Sequence, residues 1–439
     1  MHRTLPLPGP SSPARRGPRR RLAGAVLAAA LLVSGATAAL AATGDPHLDP
    51  TWSGDGIAGL TGNRYGVALS PQDSGRLYVA SWNEADAGAL RMTRYEANGA
   101  LATSFGGGDG VVQRRFAPGT NAISFPDQIV RGGDKFVVVG DHWDGVRERL
   151  GIMRTSTLGA YDTSFSGDGR VLYRIFPQEH DLLRTWKVQV LNGGKIGLAV
   201  AAFDFDGVDD YQFVAQAFVR LNANGTLDTT FHGDGVAVVD LATSDVTWNP
   251  DGSLYAGRAM GTSHQVRKLK PSGSPDTSFS GDGFTTIVCH NHETAQLQVD
   301  TTGRPLIACL RDLVTSYDFV IWRLTTAGAP DAGYGGGDGM TVFGPAGNDL
   351  EAGFRIEVLP DHTVWLATRS AADDSVLDIH TLDGSGNPNG GWGTGVSHTD
   401  VGFPFDLNEL AVGGGRTWAA LQKSATVTAL AALVPGAPL

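Results

Sequence analysis

Short apolar runs that alternate with turn residues dominate this chain. Runs such as LYVASW at 77, FVVVGD at 136 and VWLATR at 364 directly follow turns rich in Gly and Asp. Asp-Gly, Gly-Gly and Asn-Gly pairs supply the positive φ angles that tight hairpin turns require. After residue 41 no apolar spacing of 3.6 residues is sustained, so the pattern predicts strands joined by hairpins, with helix as a minor component.

A Gly-rich phrase built around one aromatic residue punctuates these runs. It has the form L-D-T-S-F-x-G-D-G, and its aromatic residue falls at Trp52, Phe105, Phe165, Phe231, Phe279, Tyr334 and Trp392. A period of 48 to 66 residues is typical of arrays, solenoids and propellers. Four strand-like runs accompany each phrase, so the sequence predicts an all-β fold, a seven-bladed β-propeller of four-stranded blades.

The two ends of the repeat predict how the ring closes. We label the runs of each unit A to D: a turn joins the innermost run A to B, C carries an arginine in most units, and D follows Gly-Asp-Gly. The chain begins with a lone phrase and a D-like run at 52–60, and it stops after a C-like run at 426–434. The last blade would take its outer strand from the N-terminus, whereas an open solenoid would need polar capping repeats, and none is visible.

The first 41 residues lie outside this repeat. They carry six arginines and no acidic residue, and the apolar segment 22–41 ends in Ala39-Leu40-Ala41. This pattern predicts a secretory signal peptide at 1–41, cleaved after Ala41, and a propeller domain at 42–439. The alternative is an uncleaved membrane anchor, because about 20 apolar residues suffice to span a bilayer.

Charge excludes two classes of partner. Without the arginines of the first 41 residues, 28 basic and 45 acidic residues remain, a net charge of −17. Such a surface repels phosphate backbones and anionic lipids, so we expect no nucleic-acid binding and, after signal cleavage, no membrane binding. We expect a monomer that is secreted or periplasmic.

The chain has two cysteines, Cys289 and Cys309. The first ends the D run of one blade and the second lies near the end of the B run in the next, so both face the same edge of the ring. In an oxidising compartment we expect them to form a disulfide, the alternative being two buried thiols that pack as small hydrophobic groups.

The repeat resembles a known family. The copies TLDTTFHGDGVAVV at 226 and AYDTSFSGDGRVLY at 160 look like the delta-60 repeat of secreted bacterial proteins, and the resemblance covers essentially all of residues 42–439. Trp52 and Trp392 replace Phe in the first and last copies, and the last copy has Gly-Thr-Gly where the others have Gly-Asp-Gly. The resemblance implies a repeat architecture and a secreted or cell-envelope location, and it carries no catalytic residues to transfer.

The aspartates of the phrase, for example Asp228 and Asp234, invite a calcium interpretation. Calcium takes six to eight oxygen ligands with a bidentate carboxylate late in the loop, and no acidic residue occupies such a place in every copy. We therefore interpret the phrase as part of the frame: Asp accepts backbone N–H bonds, Gly supplies positive φ, and the aromatic ring packs between blades.

Functional residues are expected where the repeats differ. The A–B turns and the phrase share one edge of the ring, which we name the phrase rim, and the D–A and B–C connections share the opposite edge, the variable rim. Candidate binding residues on the variable rim are His142, Trp143, Tyr211, His290, His292 and Glu293. Candidate calcium ligands are Asp204, Asp206, Asp209 and Asp210.

Two of these groups have a metal-like composition. His290, His292 and Glu293 fall within four residues, which suits a transition metal, and the aspartates around Asp206 have the loose spacing of a calcium loop. The alternative for both is an ordinary solvated loop, because neither has the helical or Cys-x-x-Cys context of a strong motif. Apart from this possible Ca²⁺, we expect no cofactor.

Two functions remain open, since nucleophile-elbow, zinc-protease and nucleotide-binding motifs are missing from the sequence. The first is a non-enzymatic secreted propeller that binds a protein or polysaccharide through its variable rim. The second is an extracellular hydrolase or lyase with its site at the mouth of the central channel. The second requires His180, His290, His292 and His398 to lie with carboxylates within about 6 Å of each other.

Overall fold

A computed structural model of the chain describes most residues after residue 46. The described residues are 47–60, 65–82, 86, 88–118, 122–207, 211–239, 243, 245–289, 295–312, 317–343, 354–370, 373–388, 396–413, 416–424 and 427–434. The expected signal peptide lies outside them, and so do His290, His292, Glu293, Asp209 and Asp210. No helix within the described ranges has the length and apolarity needed to cross a membrane.

Antiparallel strands form seven blades, and each blade pairs its strands in the order A, B, C, D from the channel outward. The N-terminal strands are β1 (His47–Leu48) and β2 (Ile57–Gly59). Blade 1 consists of β3 (Tyr65–Pro71), β4 (Leu77–Trp82), β5 (Leu90–Tyr95) and β6 (Val111–Arg114). Blade 2 consists of β7 (Ile123–Gly132), β8 (Lys135–Trp143), β9 (Glu148–Ser156) and β10 (Arg170–Tyr173). Blade 3 consists of β11 (Leu182–Val190), β12 (Ile196–Phe205), β13 (Tyr211–Leu221) and β14 (Val236–Val239), with a 3-10 turn at Asn192–Gly194.

The other four blades repeat this plan. Blade 4 consists of β15 (Asp245–Trp248), β16 (Leu254–Met260), β17 (Ser263–Leu269) and β18 (Phe284–Val288). Blade 5 consists of β19 (Gln296–Val299), β20 (Pro305–Asp312), β21 (Tyr317–Arg323) and β22 (Met340–Phe343). Blade 6 consists of β23 (Phe354–Val358), β24 (Val364–Arg369), β25 (Val376–Leu382) and β26 (Val396–Asp400). Blade 7 contains β27 (Asp406–Gly413), β28 (Arg416–Ser424) and β29 (Val427–Val434).

The ring closes as the sequence predicts. Strand β2 pairs with β29, with Ile57 opposite Ala431 and Ala58 opposite Leu430, so the N-terminus supplies the outer strand of blade 7. The innermost strands contact one another around the whole ring, and β27 of blade 7 contacts β3 of blade 1. The predicted seven-bladed β-propeller is therefore confirmed, and its last blade has no unpaired outer edge at β29.

The hydrophobic core is divided among the blade interfaces. Seven buried clusters occur, and each joins two neighbouring blades. Strand β4 is buried at every position and β8 at seven of nine, which explains the continuous apolar runs of the B strands, because both faces of each blade pack against a neighbour. The disulfide between Cys289 and Cys309, with Cα atoms 5.9 Å apart, crosses one such interface from blade 4 to blade 5 and confirms the predicted pairing.

Within a blade, the phrase forms a closed polar unit. In blade 3, Asp228 accepts hydrogen bonds from the Thr230 backbone N–H at 3.1 Å and from the Arg220 Nε at 2.7 Å. Lys195, at the start of the B strand, donates to the same carboxylate at 2.6 Å. The second aspartate, Asp234, accepts the Val236 N–H at 2.9 Å. The structural interpretation of the phrase explains these contacts, and the ion pair with Arg220 adds a contact that we did not predict.

Between blades, the phrase acts as a latch. Phe231 is fully buried, lies under the Arg220 guanidinium and contacts Trp248 of blade 4 at 5.4 Å between ring centroids. The next residue, His232, donates its backbone N–H to the Ser272 carbonyl of blade 4 at 2.8 Å. Gly273 packs so closely that a Cβ there would lie 3.2 Å from the Phe231 ring. Each described copy of the aromatic is buried in this way, namely Trp52, Phe105, Phe165, Phe231, Phe279 and Tyr334.

Candidate functional site

Ionisable residues interrupt the innermost strands around the central channel. They are Asp127 on β7, Arg184 and Lys187 on β11, Asp245 on β15, Arg355 and Glu357 on β23, and Glu409 on β27. One edge of each innermost strand has no partner strand within its blade, so its backbone N–H groups need acceptors from elsewhere. A charged side chain at this edge can either hydrogen-bond these backbone N–H groups or bind a ligand.

Several of these carboxylates satisfy the backbone of the next blade. Asp245 accepts the N–H of Leu297 at 2.7 Å, and Glu409 accepts the N–H of Leu69 at 3.0 Å. Asp127 accepts the N–H of Thr185 at 2.7 Å through its Oδ2 atom. These bonds link neighbouring innermost strands, so the carboxylates that make them belong at least in part to the frame.

Blades 2 and 3 hold a different arrangement at the variable rim, which we name the Arg184 cluster: Asp127, Asp141, Glu148 and Arg184. The Arg184 Nη1 donates to Asp141 Oδ2 at 2.7 Å and lies 3.7 Å from Asp127 Oδ1. Asp141 and Glu148 sit on the two strands of the β8–β9 hairpin, where B meets C, and Arg184 is near the start of β11. The Arg184 side chain is one-quarter exposed and Asp141 is 1% exposed, so the cluster is buried except at part of Arg184.

A β-bulge places Asp127 in this cluster. Pro126 pairs with Gly140 and Gln128 with Val139, which leaves Asp127 as the extra residue of β7. A bulge redirects a side chain relative to the regular alternation of a strand. Opposite the bulge, a Cβ on Gly140 would come within 1.9 Å of the Phe125 carbonyl oxygen, so the bulge requires glycine at that position.

The Arg184 cluster contains buried polar atoms without hydrogen-bond partners among the described residues. They are Asp141 Oδ1 and Glu148 Oε2, together with Trp143 Nε1 and Thr185 Oγ1 beside them in the chain. Leaving such an atom unsatisfied costs about 1–3 kcal/mol. The carboxylates of the phrase show the opposite condition, since both oxygens of Asp228 are hydrogen-bonded.

Burial perturbs the ionisation of this cluster. Desolvation raises the pKa of Glu148 to about 8 and that of Asp127 to about 6, although Arg184 opposes both shifts. Desolvation also raises the pKa of Asp141 well above its usual range, again against the effect of Arg184. Burial therefore favours the protonated form of Glu148, and a carboxyl in that form can donate as well as accept a hydrogen bond.

Further along the channel, the charges form a second group across the ring. Burial raises the pKa of Glu357 to about 7 and that of Glu409 to about 8, and Lys187 acts against both shifts. Arg355 donates from Nε to the Asn408 carbonyl at 2.9 Å. In the channel, ionisable side chains of blades 3, 6 and 7 therefore lie near enough to influence one another's ionisation.

The structure places the predicted binding residues unevenly. His142 is buried, its Nδ1 lies 3.2 Å from the Ser124 hydroxyl, and burial lowers its pKa, so it is a neutral interior residue. Trp143 is half-buried in the hairpin that carries Asp141 and Glu148. Tyr211 is half-buried, lies near enough to Arg184 to influence its ionisation, and contacts Phe205 at 5.5 Å between ring centroids.

The predicted calcium and histidine groups are only partly described. Asp204 accepts a hydrogen bond from His180 Nδ1 at 2.9 Å, and Asp206 is exposed. His398 is paired with Asp378 at 2.7 Å in blade 6, so the two described histidines of the channel-mouth hypothesis bind separate carboxylates in different parts of the ring. Within the described ranges, no group of three His, Cys, Asp or Glu side chains is arranged to hold a metal ion.

Sequence reasoning reached the loops of the Arg184 cluster without naming its charged members. The cluster borders the B–C and D–A connections, where the sequence predicts function, yet the predicted residues do not include Asp127, Asp141, Glu148 or Arg184. A usable signal existed: charges interrupt otherwise apolar strands in SFPDQIV at 124, FVVVGD at 136 and LLRTW at 182. A charge inside a buried strand needs a partner, which is a reason to look for a site there.

Comparison with known proteins supports the architecture. Residues 194–231 match a family described as "Domain of unknown function (DUF5122) beta-propeller". No curated protein sequence matches the chain. A protein of unknown function from Dyadobacter fermentans DSM 18053 is similar, with 10% identity and a TM-score of 0.39 over 90% of this chain and 99% of that one.

Two further solved structures show a comparable likeness. The polysaccharide lyase Uly1 has 10% identity and a TM-score of 0.45, covering 83% of this chain and 90% of that one. A subtype N11 neuraminidase-like protein of A/flat-faced bat/Peru/033/2010 (H18N11) has 12% identity and a TM-score of 0.35, covering 87% and 98%. The strands themselves show a seven-bladed β-propeller, and one of its repeats matches a propeller family of the delta-60 repeat type.

Proposed function

We propose that this chain is a secreted, non-enzymatic propeller that binds an extracellular protein or polysaccharide at its variable rim, with the Arg184 cluster at the centre of the binding site. The observation that carries the proposal is the combination of a partly exposed Arg184 with buried oxygens on Asp141 and Glu148 that have no hydrogen-bond partner among the described residues. A ligand that completes these hydrogen bonds offsets the cost of leaving them unmade, which makes the cluster a source of affinity.

The loops around the cluster are braced before any ligand arrives. His180 is bonded to Asp204, and Asp181 accepts the N–H of Phe205 at 2.9 Å, so the connection into blade 3 is tied to its B–C hairpin. Arg149 donates to Glu179 at 2.8 Å, which ties the hairpin of blade 2 to the same connection. A rigid rim loses little conformational entropy on binding, as expected of a preformed recognition surface.

The hydrolase or lyase hypothesis receives less support from these contacts. His180 and His398 are engaged by separate aspartates, and Asp141 is 1% exposed and held by Arg184. A general acid must come within hydrogen-bond reach of the bond that it protonates. Burial raises the pKa of both Asp141 and Glu148, and Glu148 is the less buried of the two, so activity assays on Glu148 variants are the test of this second hypothesis.

The proposal is tested with the protein spanning residues 42–439 on glycan arrays and in crosslinking capture of envelope proteins. Arg184→Ala should weaken binding of the captured ligand at least about tenfold, because the interaction lost is a charge-assisted one. The matched control is Arg131→Ala. It removes an exposed arginine of blade 2 that lies at the phrase rim, away from the Arg184 cluster. Equal binding by wild type and Arg184→Ala, with Arg184→Ala folded by circular dichroism, contradicts the proposal.

A further inference from the structure

The Arg184 cluster has more acid than base. It contains three carboxyl groups and one guanidinium, and Asp144 and Asp181 add to the negative potential at Glu148. Tyr211 lies near enough to Arg184 to influence its ionisation, and Arg149 binds Glu179 at the edge of the cluster. The unsatisfied carboxyl atoms, Asp141 Oδ1 and Glu148 Oε2, are hydrogen-bond acceptors when ionised. The missing complement is therefore a positive charge that carries N–H donors.

Resting on the function proposed above, we propose that the ligand is a protein segment whose lysine ammonium group binds at Asp141 and Glu148. An ammonium group is a compact charge with three donors, which suits single oxygens from two different residues. A guanidinium suits this place less well, because it binds a carboxylate through both oxygens and Asp141 Oδ2 is already occupied by Arg184 Nη1.

Because Asp141 Oδ1 and Glu148 Oε2 are buried, they favour a ligand whose cation is carried on a slender side chain. Asp141 is 1% exposed and the Glu148 Oε2 atom is buried, so the cation must arrive at the end of a narrow stem. The four methylene groups of lysine provide such a stem and can pack on the half-buried Trp143 and Tyr211 nearby. The amino group of an amino sugar is attached directly to a bulky ring and cannot reach as deep.

The surroundings of the cluster also favour a polypeptide over a uniformly cationic polymer. Arg147 and Arg149, on either side of Glu148 in the chain, share Glu179 with Arg174, which leaves this part of the rim with three guanidinium groups around one carboxylate. Arg147 and Arg174 are each about half exposed. A polymer of amino sugars would be repelled there, whereas a peptide can place acidic residues beside its lysine.

Binding of an ammonium group has a consequence for pH. The bound cation favours the ionised carboxylates, and the pKa of Glu148 is raised to about 8 by burial, so binding releases a proton at neutral pH. Affinity should rise by at least about tenfold between pH 6 and pH 8, while lysine remains protonated. Glu148→Gln should remove most of this pH dependence.

The test uses the protein spanning 42–439 on a positional-scanning peptide array that also carries lysine-acetylated copies of each peptide and spots of chitosan oligomers. We expect the bound peptides to share a lysine at one fixed position and to lose at least tenfold in affinity on acetylation. Asp141→Asn and Glu148→Gln should weaken the same peptides at least tenfold. The matched control is Asp134→Asn, an equal change of charge at the phrase-rim end of blade 2, where the side chain is exposed.

Each outcome decides the proposal. Absence of bound peptides, bound peptides without a lysine preference, or chitosan bound more tightly than every peptide overturns it. A ligand that depends on Arg184 but not on an amine overturns the lysine assignment and leaves the proposed function intact. A ligand that is insensitive to Arg184 overturns both. Since Asn and Gln preserve shape, an unchanged melting temperature of the two variants shows that lost binding is not lost folding.

Discussion

The two rims of the ring handle buried charge in opposite ways. At the phrase rim, Asp228 is 2% exposed and Arg220 is 3% exposed, and the pair is enclosed by hydrogen bonds to both oxygens. At the variable rim, Asp141 is equally buried, yet one of its oxygens has no partner among the described residues. Burial alone therefore does not separate frame from site, whereas complete hydrogen bonding does.

Ionisation shows the same contrast. Burial by itself would raise the pKa of Asp228, but Lys195, Thr230 and Arg220 outweigh it and hold that pKa well below its usual range. Around the channel, burial prevails and raises the pKa of Glu148 and Glu409 to about 8. Hydrogen bonding at the phrase rim thus favours the charged form of Asp228, whereas burial favours the neutral form of Glu148 and Glu409.

The largest effect should come from removing the closure of the ring. Deletion of residues 47–60 removes β1, β2 and the buried Trp52, and it exposes the edge of β29 together with the apolar face that Trp52 covers beside Trp418. Unpaired edges with apolar residues pair with other chains, so we expect aggregation. Light scattering during a thermal ramp measures it. A deletion variant that stays monomeric and melts like wild type would show that the frame does not need closure.

The next effect concerns the aromatic latch. Phe231→Ala should lower the free energy of unfolding by about 3–5 kcal/mol, because it removes a fully buried ring and leaves a cavity between blades 3 and 4. The matched control is Phe284→Ala on the outer strand of blade 4, where the ring is 37% exposed and a change below about 1 kcal/mol is expected. Denaturant titration followed by fluorescence measures the free energy of unfolding of both variants. Similar losses in the two would show that the Phe231 ring does not stabilise the interface between blades 3 and 4.

The frame was more predictable than the site for a physical reason. The phrase recurs, so Phe231 and its glycines are visible as a pattern, and hairpin turns and strand alternation are local properties of the sequence. The Arg184 cluster brings together Asp127, Asp141 and Arg184 through a bulge and through contacts between blades. No repeat marks such residues, and their spacing along the chain does not show that they meet.

The acid limit of stability should depend on the phrase rim. A carboxylate with a lowered pKa contributes stability above its unfolded pKa and loses it as the pH falls through the folded value. Asp228→Asn should lower the free energy of unfolding by about 2–3 kcal/mol at pH 7, since hydrogen bonds from Arg220 and Lys195 to a charged group are lost. Below about pH 4 the difference from wild type should shrink. Asp234→Asn is the control, because it affects one exposed hydrogen bond in the turn. An equal loss in the free energy of unfolding for both variants would show that the ion pair of Asp228 adds no stability.

The alkaline limit of stability should depend on the channel. Glu409 has a pKa raised to about 8, so its neutral form favours the fold, and the stability it provides is lost as the pH rises from about 5, above the unfolded pKa, through about 8. Glu409→Gln keeps an oxygen that can accept the N–H of Leu69 and removes the ionisation. We expect the variant to melt at a higher temperature than wild type at pH 9 and to show little difference at pH 5. Glu179→Gln at the exposed variable rim is the control, because the hydrogen bond from Arg149 outweighs burial and lowers the pKa of this carboxylate. If Glu409→Gln loses stability between pH 5 and pH 9 as steeply as wild type, the neutral carboxyl of the channel is not what sets the alkaline limit, and the contrast between the two rims holds for hydrogen bonding alone.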